Sequence, residues 1–439
     1  MSISPARKAA YCALADIYFD GAYSNYALKK RLLSLSEADR RLATEIVFGT
    51  IKRDAFLLRA LGSLTKRPAR DREVDLVLKM ALYQLFFTDR LPDYAVLDDS
   101  VELVKGDAGR KTAGFVNGVL RAALRKRQAL NKMRDEMAAV DYLPPWLLGY
   151  LGTYYDDDFM RRYAHTYQQS AKTYVRINTL KCTVAQACAA LDSRQIGYEQ
   201  TPLDDVLKVT TPARLSASGL LEEGTLVVQD FSAALLAYAA AVKPGQCVLD
   251  ACAAPGGKSA HVAALTDGKA HIIAADKHRH KVEEMHERFF TLGMTNAEAI
   301  LADAAAFKAE YAAHFDCVIA DVPCSGLGVI GRKPDILLTL NEADLNELVQ
   351  LQRIILANVS RYVKPGGMLI YATCTINPAE NDAIVADFLA ASDNFALGGI
   401  TLPPRTAEAG IVCTDSVLKM YPHTGAGDGF YIAKMIKTK

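Results

Sequence analysis

Residues 247–259, CVLDACAAPGGKS, decide the fold of this chain. The apolar run CVLDA (247–251) predicts a buried strand, and Gly256, Gly257, Lys258 and Ser259 predict a tight loop that opens a helix. Small residues allow a ligand to approach the backbone closely, and a helix N-terminus offers free N–H groups. The segment therefore predicts the first strand–loop–helix unit of a ligand-binding α/β domain.

Three further apolar runs follow, separated by helical patterns: HIIAAD (271–276), DCVIAD (316–321) and MLIYAT (368–373). Apolar strands alternating with helices are typical of a parallel, doubly wound sheet, which we predict for residues 241–439. Each run ends at or just before a polar or reactive residue: Asp250, Asp276, Asp321 and Cys374. Because ligands of such sheets bind at the carboxyl ends of the strands, this coincidence predicts a functional site there.

Three ligands compete for the glycine-containing loop. The G-x-G-x-x-G pattern of dinucleotide sites is absent, and a P-loop is a near miss, with Cys252 for the first glycine and Pro255 inside the cradle. S-adenosylmethionine needs carboxylates for its ribose, its amino group and its cationic sulfonium, and an acidic cluster without phosphate-binding arginines favours it. We expect Asp276 at the ribose hydroxyls and Asp303 at the adenine amino group. The alternative, helix capping, fits Asp303 best and Asp276 least.

Cys324 and Cys374 both follow strands, in polar, turn-forming contexts. Carbon 5 of cytosine cannot take a methyl group unaided, but a thiolate that adds to carbon 6 makes it nucleophilic. A second acid/base group would then help to release the product, and Asp321 is the natural acid near N3 or N4. Methyltransferases that act on amino groups carry a D/N-P-P-Y/F turn, and Cys324 occupies its aromatic position. Two thiols beside a methyl-donor loop therefore predict carbon methylation of a pyrimidine.

The chain upstream of the sheet divides into two predicted parts. Residues 1–140 have helical periodicity and hold 25 lysines and arginines against 17 acidic residues. This balance indicates either a surface for a polyanion or an ordinary solvated helical surface, and Arg121 and Arg125 in the run 121–134 are open to both interpretations. The Pro144-Pro145 pair marks a boundary. Residues 141–240 predict a small α+β subdomain, with strands at 173–180, 206–209 and 226–228.

Composition restricts the remaining possibilities. Nine cysteines without a C-x-x-C pair predict neither a disulfide framework nor a metal site. No apolar segment reaches transmembrane length, and the N-terminus lacks a secretory pattern. We therefore expect a cytoplasmic monomer with no membrane partner.

Three motifs together resemble the Sun/Fmu (RsmB-type) family of ribosomal RNA 5-methylcytosine methyltransferases: CAAPGGKS (252–259), DVPCSGLGVIGRKPD (321–335) and YATCTINPAEN (371–381). VRIN (175–178) and VVQDFSA (227–233) add to the likeness. The resemblance implies Cys374 as the nucleophile, Cys324 as the residue that assists product release, and Lys258 and Asp321 between cofactor and base. It implies that Arg332 and Lys333 contact RNA. The residues implied to hold S-adenosylmethionine are Cys252, Ala253, Ala254, Pro255, Gly256, Gly257, Lys258, Asp276, Asp303 and Asp321.

The N-terminal region is similar to NusB, an all-helical RNA-binding fold, through RRLATEIVFGTIKR (40–53) and AGFVNGVLR (113–121). This likeness favours the polyanion-facing interpretation of the basic helices and implies 16S ribosomal RNA as the substrate. Two alternatives stay open: a non-catalytic RNA-binding protein that has kept a vestigial domain, and a methyltransferase of transfer RNA.

Overall fold

The fold is described from a computed structural model of the chain, for residues 3–65, 71–89, 91–425 and 427–439, without the side chains of 106–110 and 407–408. By packing, the chain divides into two units. The first comprises Met1–Gln169 and Ile330–Leu340, and the second comprises Ser170–Val329 and Asn341–Lys439. The sequence predicted three domains, residues 1–140, 141–240 and 241–439. The division into two units by packing does not test these boundaries.

The first unit is helical, as its periodicity predicts. Pro144 and Pro145 begin a helix here, with Pro145 at its first position, where a missing N–H costs nothing. The core of the unit includes Leu14, Ile46 and Met80. A 3-10 helix spans Ala139–Tyr142. The helices are α1 (Pro5–Asp20), α2 (Ser24–Leu32), α3 (Glu37–Lys52), α4 (Asp54–Leu64), α5 (Arg72–Phe87), α6 (Asp93–Arg125), α7 (Arg127–Glu136), α8 (Pro145–Leu151) and α9 (Asp157–Gln168).

The second unit begins with the predicted small α+β subdomain. Its four strands pair antiparallel in the order β2-β3-β1-β4. The three predicted strands are present, and the short strand β2 is an addition that the sequence did not predict. The elements are β1 (Thr173–Ile177), α10 (Val184–Ser193), β2 (Tyr198–Gln200), β3 (Val206–Val209), α11 (Pro212–Ser216), β4 (Leu226–Val228) and α12 (Phe231–Ala240).

A nine-stranded sheet follows, in the order β11-β12-β13-β9-β8-β5-β6-β7, with β10 beside β13. Its elements are β5 (Cys247–Asp250), α13 (Gly257–Leu265), β6 (His271–Asp276), α14 (Arg279–Leu292), β7 (Ala297–Leu301), β8 (Phe315–Asp321), α15 (Ile336–Thr339), α16 (Glu342–Ser360), β9 (Val363–Thr373), α17 (Asp382–Ala390), β10 (Phe395–Leu397), β11 (Val412–Cys413), β12 (Val417–Met420) and β13 (Phe430–Lys437). Helix α15 lies in the segment that belongs to the first unit. Short 3-10 helices span Ala309–Tyr311, Pro404–Glu408 and Pro422–Thr424.

The central strands β9, β8, β5, β6 and β7 are parallel, as predicted for a doubly wound sheet. The edge formed by β13, β12 and β11 is antiparallel, an extension common in large α/β sheets. Apolar side chains cover both faces, with Leu235 and Met285 in one core and Leu356 and Ile384 in the other. Because both faces are buried, ligand-binding groups are left to the loops at the strand ends.

Candidate active site

The candidate site forms where four parallel strands end side by side. In the strand register Asp250 lies opposite Ile319 of β8, and Asp321 lies opposite Ala372 of β9. Strand β6, which ends at Asp276, pairs with the other side of β5. The tertiary structure therefore brings Asp250, Asp276, Asp321 and the residue after β9, Cys374, to one edge of the sheet.

The loop between β5 and α13 lies tightly against this edge. Ala253 donates its N–H to the Ala275 carbonyl at 2.8 Å, which ties the loop to the end of β6. Gly256 has a left-handed backbone, with φ of +87°. A Cβ at this position would approach the Phe289 ring to 2.7 Å, so the position requires glycine both for its conformation and for space. The loop thus presents its backbone, rather than side chains, above the strand ends.

An acidic cluster surrounds this loop. Burial raises the pKa of the Cys252 thiol, and the carboxylates of Asp250, Asp321, Asp276 and Asp303 raise it further. Cys252 therefore stays protonated and is unsuited to be a third nucleophile. Four carboxylates near one loop fit the amino, sulfonium and hydroxyl groups of S-adenosylmethionine better than they fit a phosphate.

Asp276 and Asp303 each accept a backbone N–H from two residues further along the chain. Asp276 accepts the His278 N–H at 2.9 Å, and Asp303 accepts the Ala305 N–H at 2.9 Å. Neither contact caps a helix, because α14 has His278 as its N-cap without a side-chain hydrogen bond and the next helical turn after Asp303 begins at Ala309. One backbone hydrogen bond does not saturate a carboxylate, which has about four acceptor positions. These local contacts are thus compatible with ligand binding at both residues.

Lys258, in the first turn of α13, forms an ion pair with Asp321 at the end of β8. Burial alone lowers the pKa of Lys258, but the Asp321 carboxylate outweighs it and leaves the pKa raised. The ammonium group also lies 5.5 Å from the centroid of the Phe430 ring. Lys258 is therefore charged at neutral pH and holds Asp321 in a defined position.

The two predicted thiols meet beside this pair. The Sγ atoms of Cys324 and Cys374 lie 3.4 Å apart, although the residues are 50 positions apart in the sequence. Hydrogen bonding to Cys374, burial and the charge of Glu380 raise the pKa of the Cys324 thiol. Cys374 also contributes to the electrostatic environment of Lys258. Cys324 thus retains a proton next to the sulfur of Cys374.

A buried polar network behind the thiols was not predicted. The Glu380 carboxyl group, fully inaccessible to solvent, accepts hydrogen bonds from Ser325, Asn377 and Gln352. The sequence indication was a glutamate two residues after the Asn377-Pro378 pair, which is equally typical of the region before a helix.

A cavity of about 510 Å³ opens elsewhere, near the starts of β8 and β9, and its lining includes Asp316, Lys364 and Met368. These residues lie at the opposite ends of the strands from Asp321 and Cys374. This cavity is therefore not at the candidate active site, and its size does not indicate where Asp321 and Cys374 lie. In the described part of the chain, no three His, Cys, Asp or Glu residues are grouped to hold a metal ion.

The predicted RNA-contacting residues all belong to the first unit. Arg121 and Arg125 are exposed near the end of α6, and Arg121 donates to the Asn117 side chain at 3.0 Å. Arg332 and Lys333 lie in the segment 330–340, which packs with the helices. In this segment Asp335 accepts hydrogen bonds from the backbone and hydroxyl of Ser24. The predicted catalytic and cofactor residues belong instead to the second unit. Among the described helices, none is both long and apolar enough for a membrane span.

Comparison with known proteins agrees with this architecture. Residues 237–436 match the family "16S rRNA methyltransferase RsmB/F", and residues 4–125 match the NusB family. The chain is 32% identical to a Bacillus subtilis protein named "Probable ribosomal RNA small subunit methyltransferase B", over the full length of both. It is 30% identical to ribosomal RNA small subunit methyltransferase B of Klebsiella pneumoniae, over 99% of this chain and 98% of that protein.

Solved structures share the fold. The crystal structure of PH0851 superposes over the whole of both chains with a TM-score of 0.82 and 22% identity. NSun6 from Pyrococcus horikoshii, crystallised with SFG, covers 67% of this chain and 98% of its own, with a TM-score of 0.60 and 20% identity. The chain therefore belongs to the RsmB/F family of 16S rRNA methyltransferases. Its activity class is S-adenosylmethionine-dependent methylation of ribosomal RNA.

Proposed function

We propose that this enzyme methylates carbon 5 of a cytosine in 16S ribosomal RNA through a covalent bond between Cys374 and carbon 6 of the base. The observation that carries the proposal is the pair of sulfurs 3.4 Å apart, beside the Lys258–Asp321 ion pair. Methylation of an exocyclic amino group would need neither thiol. Two adjacent thiols at the strand ends suit a nucleophile that must first bond to the base and later be released.

The acidic cluster and the loop would hold S-adenosylmethionine, which supplies an electrophilic methyl group when bound. Asp276 is assigned to the ribose hydroxyls and Asp303 to the adenine amino group, since both have acceptor positions left beyond their local contacts. The backbone of residues 252–258 would line the site. Asp321, fixed by Lys258, would face the N3 and N4 edge of the cytosine.

In the first step the Cys374 thiolate bonds to carbon 6. The π electrons of the C5–C6 bond move to carbon 5, which would then take the methyl group that bound S-adenosylmethionine supplies; the methyl–sulfur bond would break as the carbon–carbon bond forms, and S-adenosylhomocysteine would leave. Cys374 is then a neutral thioether. Because hydrogen bonding to Cys374 is the largest cause of the raised pKa of Cys324, this pKa falls in the adduct and Cys324 releases its proton to solvent.

In the second step the Cys324 thiolate removes the proton from carbon 5. The electron pair of that C–H bond restores the C5–C6 double bond, and the Cys374–C6 bond breaks, which returns a thiolate on Cys374. The negative charge that returns to Cys374 raises the pKa of Cys324 again, so Cys324 keeps the proton that it took from carbon 5. One proton is released to solvent per methyl group transferred, so the cycle closes.

The remaining parts of the chain would recognise the RNA in the cytoplasm. We assign RNA binding to the NusB-like helices of residues 1–140 and to the small subdomain of residues 141–240, with phosphate contacts from Arg121, Arg125, Arg332 and Lys333. All four are guanidinium or ammonium groups, which suit phosphate oxygens. Substrate selection would thus rest on residues other than those that carry out the methyl transfer.

The mechanism predicts opposite results for the two cysteine variants. Cys324→Ala should accumulate a covalent protein–RNA complex that survives a denaturing gel, because the adduct forms but the carbon-5 proton is not removed. Cys374→Ala should abolish both the complex and methyl transfer, measured with radiolabelled S-adenosylmethionine on 16S RNA. Cys182→Ala, which removes a partly buried thiol of the small subdomain, is the control and should behave as wild type.

Bisulfite sequencing of ribosomal RNA from cells with and without the protein identifies the target, because 5-methylcytosine resists conversion. Methylation retained in Cys374→Ala would contradict the covalent mechanism. Methylation found only in transfer RNA would leave the mechanism intact but contradict the assigned substrate.

A further inference from the structure

Glu380 lies in the turn between β9 and α17, and its side chain is fully shielded from solvent. A carboxyl group without compensating partners is costly to bury, because the interior does not replace the hydration of its charge. Such a group persists at a buried position only when its acceptor positions are filled. The partners of Glu380 therefore indicate what it does.

Four neutral donors fill the two carboxylate oxygens. Oε2 accepts the backbone N–H of Ser325 at 2.9 Å and Nε2 of Gln352 at 2.8 Å. Oε1 accepts the hydroxyl of Ser325 and Nδ2 of Asn377, the latter at 3.0 Å. Hydrogen bonds to an ionised acceptor are about twice as strong as neutral ones. The network therefore fills the acceptor positions of the Glu380 carboxylate with neutral donors, and among the described residues no cation pairs with it.

Three of these four donors come from the two segments that carry the reactive sulfurs. Ser325 directly follows Cys324, and Asn377 lies three residues after Cys374. The Ser325 hydroxyl also contacts the Thr375 hydroxyl at 2.7 Å, which joins the two segments directly. Gln352 of α16 donates a further hydrogen bond to the Pro323 carbonyl at 2.9 Å, directly before Cys324. One carboxylate thus links both cysteine segments to each other and to a core helix.

We propose that Glu380 is a positioning residue that sets the distance between the Cys324 and Cys374 sulfurs and the charge state of Cys324. The inference rests on the proposed thiol mechanism. Because the two sulfurs belong to different loops, their separation depends on a connection between those loops, and displacement of a reacting group by about 1 Å can cost 10²-fold in rate. The negative charge of Glu380 also favours the protonated form of Cys324, after the contributions of Cys374 and burial.

Glu380→Gln tests this role in the full-length enzyme. Glutamine keeps the shape, but its amide nitrogen must face two of the four donors, so one pair of hydrogen bonds is lost. We expect kcat to fall by about 10²-fold, while KM for 16S RNA and Kd for S-adenosylmethionine stay within about twofold of wild type. Loss of the charge should also lower the pKa of Cys324, and because Cys324 acts as a base it should move the acidic limb of the pH–rate profile to lower pH.

Glu347→Gln is the matched control, because it removes the same charge from an exposed position of α16. A merely structural role of Glu380 would lower the melting temperature and weaken both ligands, with an unchanged pH profile in the remaining activity. That result, or wild-type kcat and pH profile in Glu380→Gln, would overturn the inference.

If Glu380→Gln does not fold, Ser325→Ala removes a single donor from the same link and leaves the backbone hydrogen bond. We then expect a smaller fall in kcat, about tenfold, again without a change in KM, and an unchanged kcat would overturn the inference. Alkylation by iodoacetamide across pH, followed by mass spectrometry, reports the charge state of each thiol without any methyl transfer. In Glu380→Gln, Cys324 should become reactive at lower pH than in wild type, because the charge that favours its protonated form is lost. Methylation retained in Cys374→Ala refutes the mechanism itself. If Cys324→Ala and Cys374→Ala behave as the mechanism predicts but Glu380→Gln is unaffected, only the role of Glu380 is refuted.

Discussion

At the level of single residues, Asp250 shows how the site affects stability. Its side chain is 1% exposed at the end of β5, and Oδ2 accepts a hydrogen bond from the Ser259 hydroxyl at 2.7 Å. Burial raises the pKa of Asp250 from 3.8 to about 6; the Ser259 hydrogen bond opposes this shift and the Asp321 charge adds to it. A neutral side chain at position 250 should therefore remove the free-energy cost of burying an ionised carboxylate. That cost is present only at pH values where the Asp250 carboxyl is ionised.

Asp250→Asn should make stability less dependent on pH. The folded state binds the proton more tightly than the unfolded state, so this group stabilises the fold at low pH and the contribution is lost as pH rises through about 6. Between pH 5 and pH 7.5 wild type should lose about 1 kcal/mol more unfolding free energy than the variant. Chemical denaturation of the ligand-free protein at both pH values measures this. An equal pH dependence of the two proteins would show that Asp250 is ionised when buried.

Residue types and spacing predicted that Cys324, Cys374 and Asp321 lie at or just after strand ends, because continuous apolar runs reveal those strands, and they predicted Lys258 in the helix that follows the loop. The structure adds the partners of these residues, while their catalytic roles stay predictions. Glu380 could not be found in this way. Its importance comes from contacts with residues up to 55 positions away, which no local pattern contains.

At the level of elements, α6 carries two of the predicted RNA contacts. Arg121 and Arg125 are four residues apart and so lie on the same helix face, and both are exposed. Each arginine that neutralises a phosphate releases counterions, which makes RNA affinity depend on salt.

Replacing Arg121 and Arg125 by alanine should weaken binding of 16S RNA and lower the slope of log K against log salt by about 0.7 to 0.9 for each phosphate that is no longer neutralised. Affinity titrations at several salt concentrations measure the slope, and kcat at saturating RNA should stay unchanged. The control is the double variant Arg353→Ala/Lys419→Ala in the second unit, where each basic residue pairs with an aspartate and the charge change is the same. An equal slope change in both double variants would indicate a general charge effect and contradict a specific surface on α6.

Elements were predictable where periodicity and boundaries are local. The parallel strands that end at Asp250, Asp276 and Asp321 follow continuous apolar runs. The antiparallel edge of β11, β12 and β13 was not predicted. The direction and pairing of an edge strand depend on which neighbour it meets, and β13 meets β9 from more than fifty residues further along the chain.

At the level of the whole molecule, each unit has buried apolar residues of its own. The helical core includes Leu14 and Ile46, and the sheet of the second unit has its own cores on both faces. All residues assigned to S-adenosylmethionine belong to the second unit. A ligand stabilises only the cooperative unit to which it binds.

Scanning calorimetry should therefore show two unfolding transitions, of which S-adenosylmethionine raises only one. At a ligand concentration of 100 times Kd the stabilisation is about 2.7 kcal/mol. Asp276→Asn should reduce this shift and leave the other transition unchanged, since Asp276 belongs to the second unit. A single transition that moves as a whole with ligand would contradict the independence of the two units.

The sequence by itself determined the helical character of residues 1–140, the parallel strands with apolar runs, the loop at residues 252–259 and the polar and cysteine residues at the strand ends, because each depends on neighbours within a few positions. Only the tertiary structure decided which of these groups meet. It brought the sulfurs of Cys324 and Cys374 to 3.4 Å, filled the Glu380 carboxylate with donors from three segments, and placed residues 330–340 with the helical unit. The physical reason is that such contacts are formed by packing between distant segments, whose geometry no single stretch of the chain encodes.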